Sequence, residues 1–362
     1  MLYIRADGNT NIGMGHVMRC LSVAEAAADI DCMHSPVFIT ADEGCRSMIE
    51  DRGFRVIVLD TDYKDMMSEL PQLEKLFQRE HDILFVDSYQ VSIDYYRALR
   101  KLVKVACFED MGDAYPVDLL INYNIYAPNL EQQYKVQTSY NEAMNKYPQR
   151  VLLGAKYMPL RKTFQEPSEF QMNDKVTNVT ITTGGSDPYF ATAAFADALL
   201  NDSVIAAQGI HLHLISGPFN QYADALRHRY QSGENRSQNC VSTAVTIHEN
   251  VKDMRSLFLN SDVVISATGS TIYEVSSLGV PMIVFYFAEN QRQGAEALEK
   301  LTDIVNAGCF AKEPETVVYS VKETLKRCIC DKSYRQLLNR QETGLIDGKG
   351  AHRIAEQLMT MF

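Results

Sequence analysis

The sequence predicts an α/β protein that consists of two doubly wound domains. Short apolar runs alternate with segments of helical length along nearly the whole chain, which is the order expected of open sheets with crossover helices. Several runs are continuously apolar rather than alternating in polarity, as strands buried on both faces of a parallel sheet are. The succession occurs twice within 362 residues, a length that suits two domains of moderate size.

The first half of the chain contains six predicted strands, which are residues 2–7, 36–40, 55–60, 82–88, 104–110 and 118–124. The predicted helices between them are residues 45–52, 71–80 and 93–103. Residues 122–150 are rich in Tyr, Asn and Gln and are less regular, so we expect a long loop and a helix there. Residues 148–174, which contain Gly154 and Pro159 and then a polar stretch, are expected to link the two domains.

The second half repeats this plan. Its predicted strands are residues 178–185, 210–217, 244–250, 262–268 and 281–287. Its predicted helices are residues 191–200, 222–230, 251–259, 271–278 and 291–301. Two doubly wound domains joined by a short linker predict a cleft between them, because ligands bind at the carboxyl ends of parallel strands.

Composition narrows the class of protein. The net charge of −11 and the lack of a dense Lys/Arg run argue against nucleic acid as a partner. An anionic ligand would have to be bound by backbone N–H groups, helix N-termini and a few cations. The eight cysteines form no CxxC pair, so we expect reduced thiols and no metal. No apolar run approaches the ~20 residues of a membrane span, and no signal peptide is evident, so we expect a cytoplasmic protein.

The stretch GNTNIGMGH predicts a glycine-rich turn between the first strand and a helix. It fails both phosphate motifs, because Met18 stands where GxGxxG requires Gly or Ala and Met14 stands where a P-loop requires Lys. Gly13 and Gly15 instead allow a ligand to approach the backbone closely. His16 follows in the first helical turn, where the positive end of the helix dipole favours a neutral imidazole. We interpret His16 as a candidate general base, with a capping or core histidine as the alternative.

The stretch SATGSTIYEVSSLGVP in the second half is a candidate nucleotide site. A predicted strand runs into Gly269, Ser270 and Thr271 at a helix start, where N–H groups and hydroxyls are typical of an anion site. Glu274 follows one turn later. Its carboxylate could bind both hydroxyls of a ribose, or it could support the helix N-terminus.

Two shorter motifs follow other predicted strands of the second half. In TTGGSDP the candidate ligand-binding residues are Gly184, Gly185 and Ser186. The glycines open the chain toward the predicted cleft, Ser186 or Asp187 could cap the next helix, and a plain glycine turn is the alternative. In AENQ, Asn290 and Gln291 stand at a helix start, where they could bind sugar hydroxyls or amides or cap the helix.

These blocks together resemble a known family. RADGNTNIGMGHVMRCLSVA, VDSYQV, LLGAKYMPLR, TTGGSDP, ATGSTIYEVSSLGVP, AENQ and DGKGAHRI are similar to the UDP-sugar hydrolases of pseudaminic acid biosynthesis and, equally, to the spore-coat polysaccharide biosynthesis proteins. Those hydrolases release UDP from UDP-2,4-diacetamido-2,4,6-trideoxy-β-L-altropyranose. The resemblance spans nearly the whole chain, and Gly-x-Gly-His-x-x-Arg-Cys is its most specific part. It implies the GT-B fold, with two Rossmann-like domains facing a cleft, and a relation to the glycosyltransferase that makes lipid II.

The resemblance also implies roles for single residues. His16 matches the histidine that activates water, Tyr89 an active-site tyrosine, and Asn290 a substrate-binding asparagine. Glu274 matches the ribose-binding glutamate of the related transferases. The first block also contains the candidates Arg5, Arg19 and Asp7, of which Asp7 either orients the histidine or caps the turn. Sugar-side and UDP-binding domains are expected at residues 1–158 and 159–345, and a helix within 346–362 should pack back on the first domain.

The expected activity is hydrolysis of a UDP-linked amino or deoxy sugar at its anomeric carbon, without a metal or cofactor and without an obligate protein partner. The chain is longer than the simplest family members, with additions expected at residues 122–150 and after Cys309. One alternative is a glycosyltransferase of the same fold that passes the sugar to an acceptor hydroxyl. Another is a sensor that binds a sugar nucleotide without catalysis.

Overall fold

A computed structural model describes residues 1–9, 11–77, 81–140, 148–231 and 244–362 of the chain. The chain forms two compact units. The first unit comprises Met1–Gln165 together with Gly348–Phe362, and the second unit comprises Glu166–Asp347. Each unit is built on one parallel sheet, which confirms the predicted fold class of two doubly wound α/β domains.

The first unit contains a seven-stranded parallel sheet in the order β3-β2-β1-β4-β5-β6-β7. The strands are β1 (Leu2–Ala6), β2 (Val37–Thr40), β3 (Arg55–Val58), β4 (Ile83–Asp87), β5 (Lys104–Phe108), β6 (Leu119–Asn122) and β7 (Arg150–Leu153). Its helices up to β7 are α1 (Gly15–Ile30), α2 (Arg46–Glu50), α3 (Leu70–Leu76), α4 (Ile93–Leu99) and α5 (Glu131–Tyr140). The central strands β1 and β4 are buried throughout, as their continuous apolar runs predict.

The prediction of a linker at residues 148–174 is wrong for its amino-terminal part. Arg150–Leu153 pairs with β6 and forms the edge strand of the first sheet, and the division between the units follows Gln165. The strand is only four residues long, and Gly154 and Pro159, which follow it closely, favoured the prediction of a linker.

The second unit contains a six-stranded parallel sheet in the order β10-β9-β8-β11-β12-β13. The strands are β8 (Asn178–Thr182), β9 (His211–Ser216), β10 (Val245–Glu249), β11 (Val263–Ala267), β12 (Met282–Tyr286) and β13 (Asn306–Cys309). The helices are α6 (Ala191–Leu200), α7 (Ser203–Ala206), α8 (Ala223–Gln231), α9 (Met254–Leu259), α10 (Thr271–Leu278), α11 (Glu289–Leu301), α12 (Pro314–Cys330) and α13 (Lys332–Leu345). The five strands predicted here are all present, within two or three residues at each end.

The last helix, α14 (Gly350–Met359), belongs to the first unit and packs against α1. Its buried face, Ala351, Ile354, Ala355 and Leu358, joins the hydrophobic core beneath β1 and β4. Only glycine fits at position 350, because a Cβ atom on Gly350 would lie 2.1 Å from the carbonyl oxygen of Met158. The second glycine of the DGKGAHRI block is therefore explained by close packing of this helix.

Both sheets have the strand order in which the chain reverses direction beside its first strand, between β1 and β4 and between β8 and β11. Ligands of doubly wound sheets bind outside the carboxyl ends of the strands at this switch point. Ligand-binding residues are therefore expected in the loops that follow β1, β4, β8 and β11. Within the described part of the chain, every helix is too short or too polar to cross a bilayer.

Candidate active site

A tight turn places His16 beside the carboxyl end of β1. The Gly13 N–H donates to the Asn9 carbonyl at 2.8 Å, and the Asn9 side-chain oxygen accepts hydrogen bonds from the N–H groups of Asn11 and Ile12. Gly13 has a φ of 73°, which favours glycine. Helix α1 begins two residues later at Gly15, so His16 lies in its first turn as the sequence predicts.

The His16 imidazole hydrogen bonds with the carboxylate of Asp87, the last residue of β4. Nδ1 lies 2.7 Å from Oδ1, and both side chains are largely buried. A carboxylate oxygen at this distance cannot face a bare nitrogen lone pair, so Nδ1 donates its proton to Asp87. In a neutral imidazole the other nitrogen, Nε2, is then the basic atom. This is the tautomer that a general base requires when its second nitrogen faces the substrate.

Arg19 holds the same carboxylate from the next turn of α1. Its Nε donates to Asp87 Oδ2 and its Nη2 to Oδ1, each at 2.5 Å, and the Cys20 thiol lies 3.6 Å from Oδ2. Burial by itself raises the pKa of Asp87, but the Arg19 charge and the hydrogen bonds from Arg19 and His16 outweigh it and lower the pKa to about 2. Asp87 is therefore ionised at neutral pH and fixes the orientation of His16.

The other edge of the Arg19 guanidinium contacts residues that follow β5 and β6. Its Nη1 donates to the Tyr123 hydroxyl at 2.5 Å and to Asp110 Oδ2 at 3.1 Å. The guanidinium also lies 5.0 Å from the ring centre of Phe108 and 5.4 Å from that of Tyr123. Arg19 thus connects the ends of three neighbouring strands, β4, β5 and β6.

Tyr89 completes the cluster. Its hydroxyl donates to Asp110 Oδ2 at 2.9 Å, and its ring stands edge-on to the His16 ring with centroids 4.7 Å apart. Tyr89 is 59% exposed, so the residue is accessible to a ligand. Desolvation of the hydroxyl and the charge of Asp110 raise the pKa of Tyr89 above its usual range, which keeps the phenol protonated at neutral pH.

Asp7 does not orient His16, which corrects one of the alternatives predicted from the sequence. Its Oδ1 accepts the Ala41 N–H at 2.7 Å, and its Oδ2 lies 2.6 Å from Arg5 Nη1. Arg5 is fully buried and also donates to both carboxylate oxygens of Glu69. These contacts place Asp7 and Arg5 in a buried ionic network at the end of β1, whereas Asp87 contacts the histidine.

The candidate residues of the second unit lie at the carboxyl edge of its sheet. Gly184, Gly185 and Ser186 follow β8, Gly269 and Ser270 follow β11 with Thr271 opening α10, and Asn290 and Gln291 lie in the first turn of α11 after β12. Strands β8, β11 and β12 are neighbours in the sheet, so the three motifs share one edge. Gly269, Ser270 and Asn290 are exposed, whereas Glu274 in the first turn of α10 is 9% exposed.

Two side chains of these motifs, those of Asp187 and Gln291, make backbone contacts at the starts of their helices, one of the roles that the sequence left open. The Asp187 carboxylate accepts the N–H groups of Ala191 and Thr192 at 2.7 and 3.0 Å, so Asp187 caps the start of α6. The Gln291 side-chain oxygen accepts the Phe287 N–H at 2.9 Å and fixes the chain entering α11. Neither contact involves Ser186 or Asn290.

Three polar residues of the first unit, Asp87, Asp110 and Tyr123, were not predicted from the sequence. Each stands at or just after the carboxyl end of a strand, β4, β5 and β6 respectively. Asp87 lies in the VDSYQV block, directly before Ser88 and Tyr89. A polar residue at each of three successive strand ends is the signal that could have indicated them.

The described residues contain no group of three or more His, Cys, Asp and Glu side chains arranged to hold a metal ion. The seven cysteines within those residues are free thiols, and Cys240 lies outside the described residues.

Comparison with solved structures defines the class of the fold. The crystal structure of MurG from Acinetobacter baumannii superposes with a TM-score of 0.63 and 14% sequence identity, over 99% of this chain and 99% of that one. The crystal structure of a glycosyltransferase from Rickettsia africae gives a TM-score of 0.61 at 10% identity over 99% and 98% of the two chains. The fold is therefore the two-domain GT-B type of glycosyltransferases.

Residues 170–358 match the family model described as the glycosyltransferase family 28 C-terminal domain. The match covers more than half of the chain, and the chain belongs to this family.

Curated relatives are distant. The uncharacterized protein MJ1062 of Methanocaldococcus jannaschii is 27% identical over 301 residues, which are 80% of this chain and 56% of that protein. The chain thus spans little more than half the length of that relative. The spore coat polysaccharide biosynthesis protein SpsG of Bacillus subtilis is 24% identical over 99% of this chain and 98% of SpsG. The UDP-2,4-diacetamido-2,4,6-trideoxy-β-L-altropyranose hydrolase of Campylobacter jejuni is 25% identical over 56% of this chain and 66% of the hydrolase.

Proposed function

We propose that the protein hydrolyses a UDP-linked sugar at its anomeric carbon and releases UDP and the free sugar. The observation that carries the proposal is the hydrogen bond from His16 Nδ1 to the ionised Asp87, because it fixes a base with Nε2 as its free basic atom. A protein that only binds a sugar nucleotide has no need of an oriented histidine base.

In this mechanism His16 Nε2 accepts a proton from water as the water oxygen attacks C1 of the sugar. The bond between C1 and the β-phosphate oxygen breaks, and its electron pair leaves with UDP. The resulting imidazolium is stabilised by Asp87 and later gives its proton to solvent. UDP is stable as an anion, so the reaction needs no strong general acid, and helix N-termini can stabilise the departing charge.

We assign binding of the nucleotide to the second unit. The turn Gly269–Thr271 at the start of α10 would hold the diphosphate, assisted by Gly184, Gly185 and Ser186. Glu274 would bind the ribose hydroxyls, and Asn290 would contact the sugar. The family match over residues 170–358 supports this assignment, because it includes all of these residues.

For the sugar we propose an amino or deoxy hexose destined for nonulosonic acid or for a surface or spore-coat polysaccharide. The similarity to the Campylobacter hydrolase and to SpsG supports this class of substrate. Tyr89 and Arg19 would contact the sugar from the first unit, where they flank His16.

A glycosyltransferase that uses a UDP-sugar donor is the second candidate, and membership of a glycosyltransferase family supports it. In that reaction His16 would remove the proton of an acceptor hydroxyl instead of water. The discriminating experiment measures UDP release from a panel of UDP-sugars without and with added sugar or lipid acceptors. Turnover without acceptor, at a rate that acceptors do not raise, supports hydrolysis. Turnover only with an acceptor supports the transferase. Tight UDP binding without turnover in either case would contradict both proposed activities.

A further inference from the structure

The loop after β5 carries Asp110 and is organised around the buried side chain of Glu109. One carboxylate oxygen of Glu109, Oε1, accepts three backbone hydrogen bonds, from Met111 at 2.5 Å, Gly112 at 2.7 Å and Asp113 at 3.1 Å. The carboxylate therefore determines the course of the loop that begins at Asp110. The Tyr126 hydroxyl donates to the Asp110 carbonyl at 3.2 Å and fixes the first residue of the loop from outside.

Helix α5 holds the same loop from the other side. The Tyr134 hydroxyl donates to Glu109 Oε2 and accepts from Asn122 Nδ2 at 2.9 Å. Gln133 and Gln137 both donate to the Gly112 carbonyl, at 2.8 and 3.0 Å, and the Gln137 side-chain oxygen accepts the Ala114 N–H at 2.7 Å. The helix lies in the segment expected from the sequence to be an addition to the family pattern.

One carboxylate oxygen of this loop accepts hydrogen bonds from two residues of the candidate active site. Asp110 Oδ2 accepts the Tyr89 hydroxyl at 2.9 Å and Arg19 Nη1 at 3.1 Å. Tyr89 is 59% exposed, and its hydrogen bond to Asp110 connects the ring that contacts His16 to the loop after β5. Arg19 in turn holds Asp87, the partner of the histidine.

We propose that Asp110 is a positioning residue for Tyr89 and Arg19, and that α5 is part of the active-site architecture because it holds the Asp110 loop through Gln133, Tyr134 and Gln137. The inference rests on the proposed function only for its kinetic readout. The geometry of Tyr89 and of the loop can be measured without any substrate.

The test compares the double variant Gln133→Ala/Gln137→Ala with Gln132→Ala, an exposed glutamine on the same helix. Substitution of these solvent-facing or partly exposed glutamines leaves the buried Glu109 and Tyr134 in place. Two readouts need no activity: the ¹⁹F spectrum of 3-fluorotyrosine incorporated at position 89, and hydrogen exchange of the amides of residues 111–113. Kinetics and UDP affinity form the third and fourth readouts.

In the double variant we expect exchange at residues 111–113 to rise about tenfold and the ¹⁹F signal of position 89 to shift or broaden. Turnover should fall about tenfold with unchanged UDP affinity, because misplaced catalytic groups reduce kcat rather than nucleotide binding. Gln132→Ala should match the wild type in all four. Asp110→Ala should reproduce the ¹⁹F change and the loss of kcat without altering α5.

Faster loop exchange with an unchanged ¹⁹F signal and kcat would show that α5 is merely structural and would overturn the proposal. An unchanged loop in the double variant would overturn it as well. If the wild type hydrolyses no UDP-sugar, the proposed function fails, yet the ¹⁹F and exchange readouts still decide whether α5 and Asp110 position Tyr89.

Discussion

The imidazole of His16 and the carboxylate of Asp87 are joined by a 2.7 Å hydrogen bond across 71 positions of sequence. The contact exists because β1 and β4 are neighbours in the sheet, so the turn after β1 meets the last residue of β4. Arg19 holds both oxygens of the same carboxylate and keeps it ionised. The arrangement gives the candidate base a fixed orientation before any substrate binds.

Asp87→Asn should lower kcat by about 10²–10⁴-fold while UDP affinity stays near the wild-type value. An amide nitrogen facing Nδ1 favours the wrong tautomer, with the proton on Nε2, and it no longer stabilises the imidazolium. Asp118→Asn is the matched control, because Asp118 accepts the Val105 N–H at the opposite, amino-terminal edge of the same sheet. Steady-state kinetics and calorimetric titration with UDP provide the measurements. A variant with near-wild-type kcat would refute the assigned role of Asp87.

The His16→Asn variant and the double variant with Asp87→Asn should show strongly non-additive losses. If Asp87 acts only through His16, the double variant loses hardly more activity than His16→Asn alone. The measurement is kcat/KM for all four proteins of the cycle. Fully additive losses would mean that Asp87 serves the reaction independently of the histidine.

The contribution of Asp87 to stability should depend on pH in acid. Its pKa in the folded protein, about 2, lies below the ordinary 3.8, so its ionic contacts stabilise the fold fully above pH 4 and lose this effect as pH falls toward 2. From pH 5 downward, the free energy of unfolding of the wild type minus that of Asp87→Asn should shrink, by an amount on the order of 2 kcal/mol in strong acid. Urea denaturation at several pH values measures it. A difference that grows as pH falls from 5 to 2 would contradict the lowered pKa of Asp87.

Asp7→Asn should lower the stability of the fold and leave kcat nearly unchanged. Asp7 is buried and pairs with the fully buried Arg5, which Glu69 also contacts, so loss of the Asp7 charge should lower the unfolding free energy by about 2 kcal/mol. Because it makes no contact with His16, kcat of the folded protein should stay close to wild type. Thermal denaturation and kinetics on the same preparation separate the two effects. A large fall in kcat with unchanged stability would restore Asp7 as the residue that orients the base.

Glu274→Gln should weaken UDP binding about tenfold, because a carboxylate accepts ribose hydroxyls more strongly than an amide does. Ser277→Ala is the control on the same helix, since its hydroxyl bonds only to the Glu274 carbonyl among the contacts described. Titration calorimetry with UDP gives both dissociation constants. Equal UDP affinities of Glu274→Gln and the wild type would show that Glu274 does not bind the ribose.

The sequence was sufficient for the fold class but not for two edge strands. Continuous apolar runs indicate the buried strands, whereas β7 opens with an exposed arginine and β13 reads Asn-Ala-Gly-Cys, without a β-branched residue. The position of His16 in the first turn of α1 could be predicted, because a glycine-rich turn that fails the phosphate motifs precedes it. Its contact with Asp87 could not be predicted, because that contact depends on β4 lying beside β1. Local sequence patterns do not determine the order of the strands in a sheet. The contacts of Asp110 and Tyr123 with Arg19 were not predicted for the same reason.

The central claim is attack of water on the anomeric carbon, and the position of an oxygen label tests it most directly. The enzyme is incubated with a UDP-sugar that it turns over in ¹⁸O-labelled water, and both products are analysed by mass spectrometry. We expect one ¹⁸O atom in the free sugar, before exchange through its open-chain form, and none in UDP. Label in UDP instead would place the attack on phosphorus and contradict the mechanism.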